Sequence, residues 1–253
     1  MNLMLPLSVF SKLQMYMTLL WIMFLSGCQN TEEKEIVIIS TNDIHGRIEQ
    51  FSKLATFVKR IKEEHPNVIL VDAGDRFTGN PYVDHAKEKG FPIISLMNDL
   101  GYEVGTLGNH EFDFGQKILR ARINDATFPI ICANINSSRG ELDSIPPYHI
   151  IEKDGIKLGF IGLVQTGTDQ IPSTNPERLK DITFDHYLDK VEDYKPLKRQ
   201  CDVLIGLTHL GVDKDSILAT QMPELDIIIG GHTHTLLETS KEINNVIIGQ
   251  TGL

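Results

Sequence analysis

The chain has 253 residues, which is enough for one large domain or for one domain with a small appendage. Its hydrophobic content of 41% is ordinary for a globular protein with a sizeable core. The formal net charge of -10 argues against a protein that binds a nucleic-acid polymer, because such a protein needs basic surface stripes. A small anionic substrate is still compatible with this charge, since a metal site can supply positive charge locally.

The N-terminal segment is typical of a protein that is exported. One basic residue, Lys12, precedes an apolar run from about Leu13 to Leu25, and Leu-Ser-Gly then leads into Cys28. The run is too short for a comfortable membrane span and long enough for the apolar part of a signal peptide. The residues before Cys28 resemble a bacterial lipobox, which implies that Cys28 carries a lipid after cleavage. An uncleaved anchor and a plain signal peptide are the two alternatives.

This interpretation divides the chain into three parts. We predict a lipoprotein signal peptide over residues 1–27, an acidic tether over residues 28–34 and one folded domain over residues 35–253. The protein is then expected to be exported and anchored to the bacterial cell envelope through the lipid on Cys28, facing either the periplasm or the cell surface. Neither the membrane concerned nor the oligomeric state follows from these residues.

The other two cysteines lie in apolar stretches of the chain. Cys132 belongs to "FPIICANIN" and Cys201 precedes "DVLIG". Each is predicted to be a small core residue in or next to a strand. Spacing alone cannot establish a disulfide between them.

Strand and helix patterns alternate from Glu35 onwards. Continuous apolar runs predict buried strands, and apolar residues at helical spacing predict helices. The predicted strands cover residues 35–41, 67–75, 103–109, 128–136, 201–211, 225–235 and 245–252. The predicted helices cover residues 51–65, 91–101, 116–126 and 187–200, the last broken near Pro196. Asp154-Gly155 between two apolar runs predicts a β-hairpin. The alternation indicates an α/β architecture, and the hairpin indicates a mixed sheet.

Five of the predicted strands run into Asp, Asn or His, usually beside Gly. The stretches are "TNDIHG", "VDAGDRF", "LGNHEFD", "THLG" and "GGHTHT". In α/β sheets the crevice beyond the carboxyl ends of the strands is where ligands bind, so these side chains can converge. They are Asp43, His45, Asp75, Asn109, His209, His232 and His234.

These side chains favour a metal site. Imidazole, carboxylate and amide oxygen without thiolate suit Zn, Mn or Fe. Their number exceeds the four ligands of one tetrahedral ion, whereas two ions that share a bridging carboxylate would use them all. The motifs are weak singly and specific together. His65, His85, His149 and His186 lie outside them and are expected to be surface or hydrogen-bonded histidines.

The stretches "STNDIHGR", "VDAGD", "LGNHEFDFG", "GLTHLG" and "IIGGHTHT" together resemble the catalytic domain of the 5′-nucleotidase / UDP-sugar hydrolase family, which are calcineurin-like metallophosphoesterases. The resemblance extends from about Glu35 to Gly252. It implies an α/β fold of the four-layer metallophosphoesterase sandwich type, in which two mixed β-sheets are flanked by helices. It also implies a metal-dependent phosphoric ester hydrolase.

The resemblance implies a role for each candidate residue. The first ion would be held by Asp43, His45, Asp75 and His234, and the second by Asn109, His209 and His232, with Asp75 bridging. Many nucleotidases have Gln at the position of His234, and other metallophosphoesterases have His there. His110 and Asp113 would form a dyad beside the metals: His110 stabilises charge on the phosphoryl oxygens, and Asp113 orients His110 and keeps it protonated. Hydroxide produced at the metals would attack phosphorus in line.

Nucleoside 5′-monophosphates are the expected substrates by this resemblance. A 2′,3′-cyclic-nucleotide phosphodiesterase and a UDP-sugar pyrophosphatase on the same scaffold are the alternatives. Family nucleotidases also carry a C-terminal domain whose aromatic residues stack on the base, and this sequence ends near "VIIGQTGL". We therefore expect either a fragment or a catalytic half that works with a separately encoded C-terminal nucleotidase domain. A non-catalytic substrate-binding lipoprotein is a further alternative, disfavoured because every metal ligand and His110 are present.

Overall fold

Two β-sheets, one of four strands and one of six, form the centre of the structure. The structure is a computed structural model that describes residues 33–142 and 144–252. The predicted signal peptide and Cys28 lie outside the described residues. Both sheets belong to one compact unit, Ile36–Leu253.

The described strands and helices follow each other in nearly strict alternation through the first half of the domain. The strands are β1 Val37–Thr41, β2 Val68–Asp72, β3 Val104–Thr106, β4 Ile130–Ile131, β5 Ile135–Asn136, β6 Tyr148–Lys153, β7 Ile156–Val164, β8 Thr183–Phe184, β9 Val203–His209, β10 Ile227–Ile229, β11 Lys241–Ile243 and β12 Val246–Gly249. The α-helices are α1 Phe51–Glu64, α2 Pro81–Asp84, α3 Phe91–Leu100, α4 Gln116–Asp125, α5 Tyr187–Val191 and α6 Val212–Gln221. Short 3₁₀ helices lie at Ile48–Gln50, His110–Phe112, Pro176–Leu179 and Glu192–Arg199.

The four-stranded sheet has the order β1-β2-β3-β4, and all its described strand pairs are parallel. Parallel strands are covered on both faces and therefore need continuous apolar sequence. Every residue of β2 is buried, in agreement with its sequence "VILVD". Because the strands run in the same direction, the loops that follow β1, β2 and β3 leave the sheet at one edge.

The six-stranded sheet has the order β11-β12-β10-β9-β7-β6. Its four central strands pair in parallel, whereas β6 pairs antiparallel with β7 and β11 pairs antiparallel with β12. Asp154 and Gly155, which join β6 to β7, have φ values of 51° and 75°. Two successive residues with positive φ are what a tight hairpin turn requires, so the predicted hairpin is confirmed.

The apolar side chains make three layers of core, and these explain the order of the sheets and helices. One group lies between the two sheets and contains Ile69 and Val71 of β2 together with Phe160 and Ile205 of the larger sheet. A second group packs α1, α3 and α4 on the outer face of the smaller sheet. A third group packs α6 on the outer face of the larger sheet. The result is helix, sheet, sheet and helix, which confirms the predicted fold class.

Several details differ from the sequence-based predictions. The mixed character belongs to the six-stranded sheet alone, and β5 and β8 form an additional two-stranded antiparallel sheet. The helix predicted over residues 187–200 is α-helical only to Val191 and continues as a 3₁₀ helix that contains Pro196. Proline lacks the N–H that an α-helix needs at that point, whereas the tighter helix accommodates it. Helix α6 is an element that the sequence analysis did not predict.

The predictions for the two later cysteines are confirmed. Cys132 and Cys201 are buried, and both are free thiols. Burial raises the pKa of Cys132 to about 12, which makes its thiol inert at neutral pH.

Among the residues that the structure describes, no helix is long and apolar enough to cross a bilayer.

Candidate metal centre

The loops after five strands meet at one edge of the two sheets. The strands β1, β2 and β3 of the smaller sheet and β9 and β10 of the larger sheet all end there. The structure brings together all seven side chains that the sequence analysis singled out as metal ligands. Six of them, together with His110, form three groups whose nitrogen and oxygen atoms lie within 4.8 Å of one another, namely Asp43, His45 and His234; His45, Asp75 and His110; and Asp75, His209 and His232. The seventh, Asn109, lies beside His232.

Two halves can be distinguished within this cluster. The outer half consists of Asp43, His45 and His234, and the inner half consists of Asp75, Asn109, His209 and His232. In the outer half, His234 Nε2 lies 3.3 Å from Asp43 Oδ1 and 3.3 Å from His45 Nε2.

In the inner half, His209 Nε2 lies 2.9 Å from Asp75 Oδ2. Asn109 Oδ1 lies 3.0 Å from His232 Nδ1. His45 and Asp75 belong to a common group, so the two halves are contiguous.

The backbone at the site is strained. Five of the seven candidate ligands have positive φ, with 51° at Asp43, 47° at His45, 58° at Asp75, 85° at His232 and 52° at His234. Each such residue costs about 1–3 kcal/mol, and residues of this kind cluster at functional sites. Hydrogen bonds between the loops hold this backbone: the N–H of Asp43 donates to Gly74 O, and the N–H of His45 donates to Asp75 O, each at 3.0 Å.

The orientation of two of the four candidate imidazoles is fixed by hydrogen bonds to backbone carbonyls. His209 Nδ1 donates to Ala73 O at 2.7 Å, and His45 Nδ1 donates to Thr78 O at 2.9 Å. In each ring this leaves Nε2 as the atom that faces the cluster. Such bonds to the far nitrogen are typical of histidines that ligate metals.

The inner half contains a buried polar atom that the protein alone does not satisfy. His209 is fully buried, and its Nε2 atom makes no hydrogen bond of acceptable geometry with any described residue, although a carboxylate oxygen is 2.9 Å away. Burial would lower the pKa of His209, but the Asp75 carboxylate outweighs burial and raises it. Burial would raise the pKa of Asp75, and the His209 imidazole outweighs burial and holds it below its usual range. A shared cation satisfies both groups, so these residues fit the divalent metals implied by their donor set.

His232 differs electrostatically from His209. Burial, reinforced by the positive charge of His209, lowers its pKa to about 4. His232 is therefore a neutral imidazole at physiological pH, and neutral imidazole is the form that binds a metal.

The dyad predicted at His110 and Asp113 is present as a hydrogen-bonded pair. His110 Nδ1 donates to Asp113 Oδ2 at 2.6 Å, and this bond is the main reason why the pKa of His110 is raised. Asp113 also accepts from Thr78 Oγ1 at 2.9 Å and from Thr174 Oγ1 at 2.9 Å. Burial opposes ionisation of Asp113, but the hydrogen bond from His110 and those from the two threonines lower its pKa overall. The His110 side chain remains 37% exposed, so its ring is accessible from solvent.

Other residues that support the site were missed by the sequence analysis. Asn42 Nδ2 donates to Asp43 Oδ2 and to Gly252 O, each at 2.6 Å. Asn109 Nδ2 donates to Ser173 O at 3.0 Å, which turns Asn109 Oδ1 towards His232. Asn42 stands inside a motif and could have been noticed. Ser173 and Thr174 lie in an irregular loop, and no periodicity in the sequence indicates their role.

The histidines outside the motifs behave as expected. His186 caps α5 by accepting from the N–H of Leu188. His65, His85 and His149 belong to none of the three groups of potential metal ligands found among the described residues.

Comparisons with known proteins agree with this geometry. The profile of the calcineurin-like phosphoesterase family matches residues 36–236. The chain is 31% identical over 243 residues to the snake venom 5′-nucleotidase of Naja atra, a match that covers 84% of this chain and 44% of that protein. It is also 31% identical over 247 residues to the trifunctional nucleotide phosphoesterase protein YfkN of Bacillus subtilis (strain 168), with coverage of 83% and 16%. The chain thus spans less than half the length of these relatives.

The fold agrees with solved structures as well. The crystal structure of the 5′-nucleotidase precursor from Thermus thermophilus superposes with a TM-score of 0.76 at 26% sequence identity, covering 85% of this chain and 48% of that one. The family match, the sheet order and the strand-end histidines and aspartates lead to one assignment. The chain belongs to the calcineurin-like phosphoesterases, a family of metal-dependent phosphoric ester hydrolases that includes the 5′-nucleotidases which it resembles.

Proposed function

We propose that this chain hydrolyses small phosphomonoesters with two divalent cations, Zn, Mn or Fe, and that nucleoside 5′-monophosphates are its preferred substrates. The observation that carries the proposal is the convergence of seven nitrogen and oxygen ligands beside a hydrogen-bonded His–Asp pair. A single tetrahedral ion does not need seven ligands, whereas two neighbouring ions are the usual arrangement for hydrolysis of phosphoesters.

The outer and inner halves each supply a set of ligands in this proposal. The first cation would be held by Asp43, His45, Asp75 and His234, and the second by Asp75, Asn109, His209 and His232. When bound, the cations lower the pKa of a water and neutralise charge on the phosphoryl oxygens. The neutral His232 and the amide oxygen of Asn109 add no negative charge, so the inner half keeps a net attraction for an anionic phosphate.

In this proposal His110 also stabilises the negative charge on the phosphoryl oxygens. Its ring is partly exposed beside the cluster, and its centroid lies 5.0 Å from that of His45. Asp113 accepts a hydrogen bond from Nδ1 and raises the pKa of His110, which favours the protonated ring. Nε2 of the protonated ring can then donate to a phosphoryl oxygen whose negative charge grows in the transition state. A preorganised donor of this kind contributes to rate because it does not have to reorient during the reaction.

The proposal is tested by steady-state hydrolysis of an aryl phosphate by the purified full-length chain. The protein is first stripped of metal with a chelator and then reloaded with Mn²⁺ or Zn²⁺. We expect turnover only after reloading. Absence of turnover with every metal, in a protein that nevertheless binds two ions, would overturn the proposed activity.

The preference for nucleotides is a separate part of the proposal. It is supported by the naming of both curated relatives above as nucleotide-cleaving enzymes. Comparing AMP, an aryl phosphate and an aryl phosphodiester tests it, since AMP turnover well above that of the aryl esters is expected. Preference for the diester, or for a 2′,3′-cyclic nucleotide or UDP-sugar, would favour the alternatives instead. Turnover of aryl esters without preference for AMP would favour a catalytic half that needs a C-terminal nucleotidase domain.

We also propose that the protein is exported and anchored through a lipid on Cys28. The support is the apolar N-terminal run that ends in Leu-Ser-Gly-Cys. The test is fractionation of cells that express the wild type or a Cys28→Ser variant. The wild type is expected in the membrane fraction and the variant outside it, and equal distribution of the two would contradict the lipid anchor.

A further inference from the structure

Glu111 is a fully buried carboxylate that the proposed chemistry does not use. It lies between the dyad residues His110 and Asp113, yet its side chain turns away from solvent. Oε2 accepts from the N–H of Asp75 at 2.9 Å and from the N–H of Gly108 at 2.6 Å, and Oε1 accepts from the N–H of Arg76 at 2.7 Å. One side chain thus binds three backbone amides from two loops.

The first loop needs these bonds because of its conformation. Asp75 has a φ of 58°, and it is a non-glycine residue in the left-handed region. Such a residue lets two successive N–H groups point to the same side, where they bind an anion. Here that anion is the Glu111 carboxylate. Charge-assisted hydrogen bonds are stronger than neutral ones, so they can hold a conformation that the loop would otherwise leave.

The second loop is brought into contact with the first by the same side chain. The N–H of His110 donates to Asp75 Oδ1 at 2.8 Å, which completes a ring of bonds between the two loops. The approach is so close that a Cβ atom on Gly108 would lie 2.2 Å from Asp75 Oδ1. Asn109 and His110 follow Gly108 directly, so the position of Gly108 sets where both side chains begin.

We propose that Glu111 is a positioning residue whose carboxylate fixes the Asp75 loop to the Gly108–Asn109 turn before any cation binds. The inference rests on the proposed function for the roles of Asp75 and Asn109 as ligands. Asp75 contributes to two of the three ligand groups. A displacement of its carboxylate would therefore weaken the binding of both cations.

A different role for Glu111 would be to neutralise the buried Arg76. The Arg76 guanidinium is fully buried, with Nη1 3.5 Å from Glu111 Oε1 and Nε 2.8 Å from Asp72 Oδ2. Asp72 is therefore a matched control. It is a second buried carboxylate beside the same guanidinium, and it accepts from the N–H of Gly74 and not from the three amides that Glu111 binds.

The experiment measures Mn²⁺ binding by isothermal titration calorimetry on the full-length wild type, Glu111→Gln and Asp72→Asn proteins. Loss of a residue that orients metal ligands typically costs about 10–100-fold in metal affinity. We expect a loss of that size for Glu111→Gln and a change within about twofold for Asp72→Asn. Wild-type affinity in Glu111→Gln, or an equal loss in Asp72→Asn, would overturn the proposal.

A second measurement applies to the wild type alone and therefore does not depend on the folding of a variant. Amide hydrogen exchange of Asp75, Arg76 and Gly108 is followed without metal and with Mn²⁺. We expect strong protection in both states, because the acceptor is Glu111. Rapid exchange that slows only when Mn²⁺ is added would mean that the cation orders the loops, and this would overturn the proposal.

These readouts separate the inference from the proposed function. A wild type that binds Mn²⁺ and hydrolyses no phosphoester contradicts the proposed function, while the affinity comparison still decides the role of Glu111. A wild type that binds no Mn²⁺, Zn²⁺ or Fe²⁺ overturns both.

Discussion

The inner and outer halves of the metal centre are built from similar ligands and differ in the exposure of one ligand, His234. His209 and Asp75 of the inner half are 0% and 2% exposed, whereas the His234 side chain of the outer half is 41% exposed. In the inner half, Asn109 is bound by Ser173, and His209 is bound by Ala73. In the outer half, His45 is bound by Thr78 in the same way. The exposure of His234 is therefore the main difference, and we expect a cation in the outer half to exchange with solvent more readily than one in the inner half.

The largest effect is expected from a substitution in the inner half. His209→Ala should lower kcat for an aryl phosphate about a thousandfold or more, because loss of a cation forfeits several kcal/mol of charge stabilisation. Metal analysis of the purified protein should show fewer bound ions. His85→Ala is the control, since His85 is exposed and belongs to no ligand group among the described residues. Full activity of His209→Ala would contradict the assignment of the inner half.

A smaller effect is expected from the dyad, which lies beside both halves and belongs to neither. His110→Ala should lower kcat about 10²–10³-fold, the usual cost of removing one preorganised donor. The number of bound ions, measured by metal analysis, should be unchanged. Loss of an ion together with activity would mean that His110 acts as a ligand and not as a donor to substrate.

In the outer half, His234→Ala should cost about tenfold in kcat at low Mn²⁺ concentration. Asp43, His45 and Asp75 remain as ligands, so excess Mn²⁺ should restore much of the activity. The measurement is the Mn²⁺ concentration that gives half-maximal hydrolysis, which should rise. A loss as deep as that of His209→Ala, without rescue by Mn²⁺, would remove the distinction between the two halves.

The smallest effect concerns Asp215, which lies behind the inner half. Burial raises the pKa of this carboxyl to about 7 and outweighs the hydrogen bond from Thr208 to Oδ1, which lowers it. Oδ2 has no hydrogen-bond partner in the part of the chain that the structure describes. The folded protein therefore binds a proton more tightly than the unfolded chain, and stability falls as the pH rises from about 4 to about 7. In Asp215→Asn the fall in Tm over this range should be smaller by at least about 2–4 °C, the effect of one kcal/mol in a domain of this size.

Thermal unfolding of both proteins at several pH values measures the effect, in the absence of added metal. Parallel pH profiles of Tm for the wild type and Asp215→Asn would show that Asp215 is already ionised in the folded protein.

The sequence predicted those strands and site residues that follow a clear residue pattern. Continuous apolar runs predicted the parallel strands, and the polar residues after them predicted which side chains would converge. Apart from Asn42, which stands inside a motif, the residues that support the site were not predictable in this way. Glu111 acts through backbone amides that have no sequence signature, and Thr174 lies in a loop that only the tertiary fold brings to Asp113. Helix α6 was missed because its sequence, "VDKDSILATQ", has little apolar periodicity.

The hydrogen bond from Asn42 to the carbonyl of Gly252 joins residues 210 positions apart in the chain. The N–H of His232 likewise donates to Asp43 across 189 positions. Contacts of such high sequence separation form slowly, because the entropy of closing a long loop opposes them. Asp43, His45 and Asp75 belong to the first half of the domain, whereas His209 ends β9 and the loop after β10 carries His232 and His234. The candidate ligands are therefore together only after the last strands have docked on the first half of the domain.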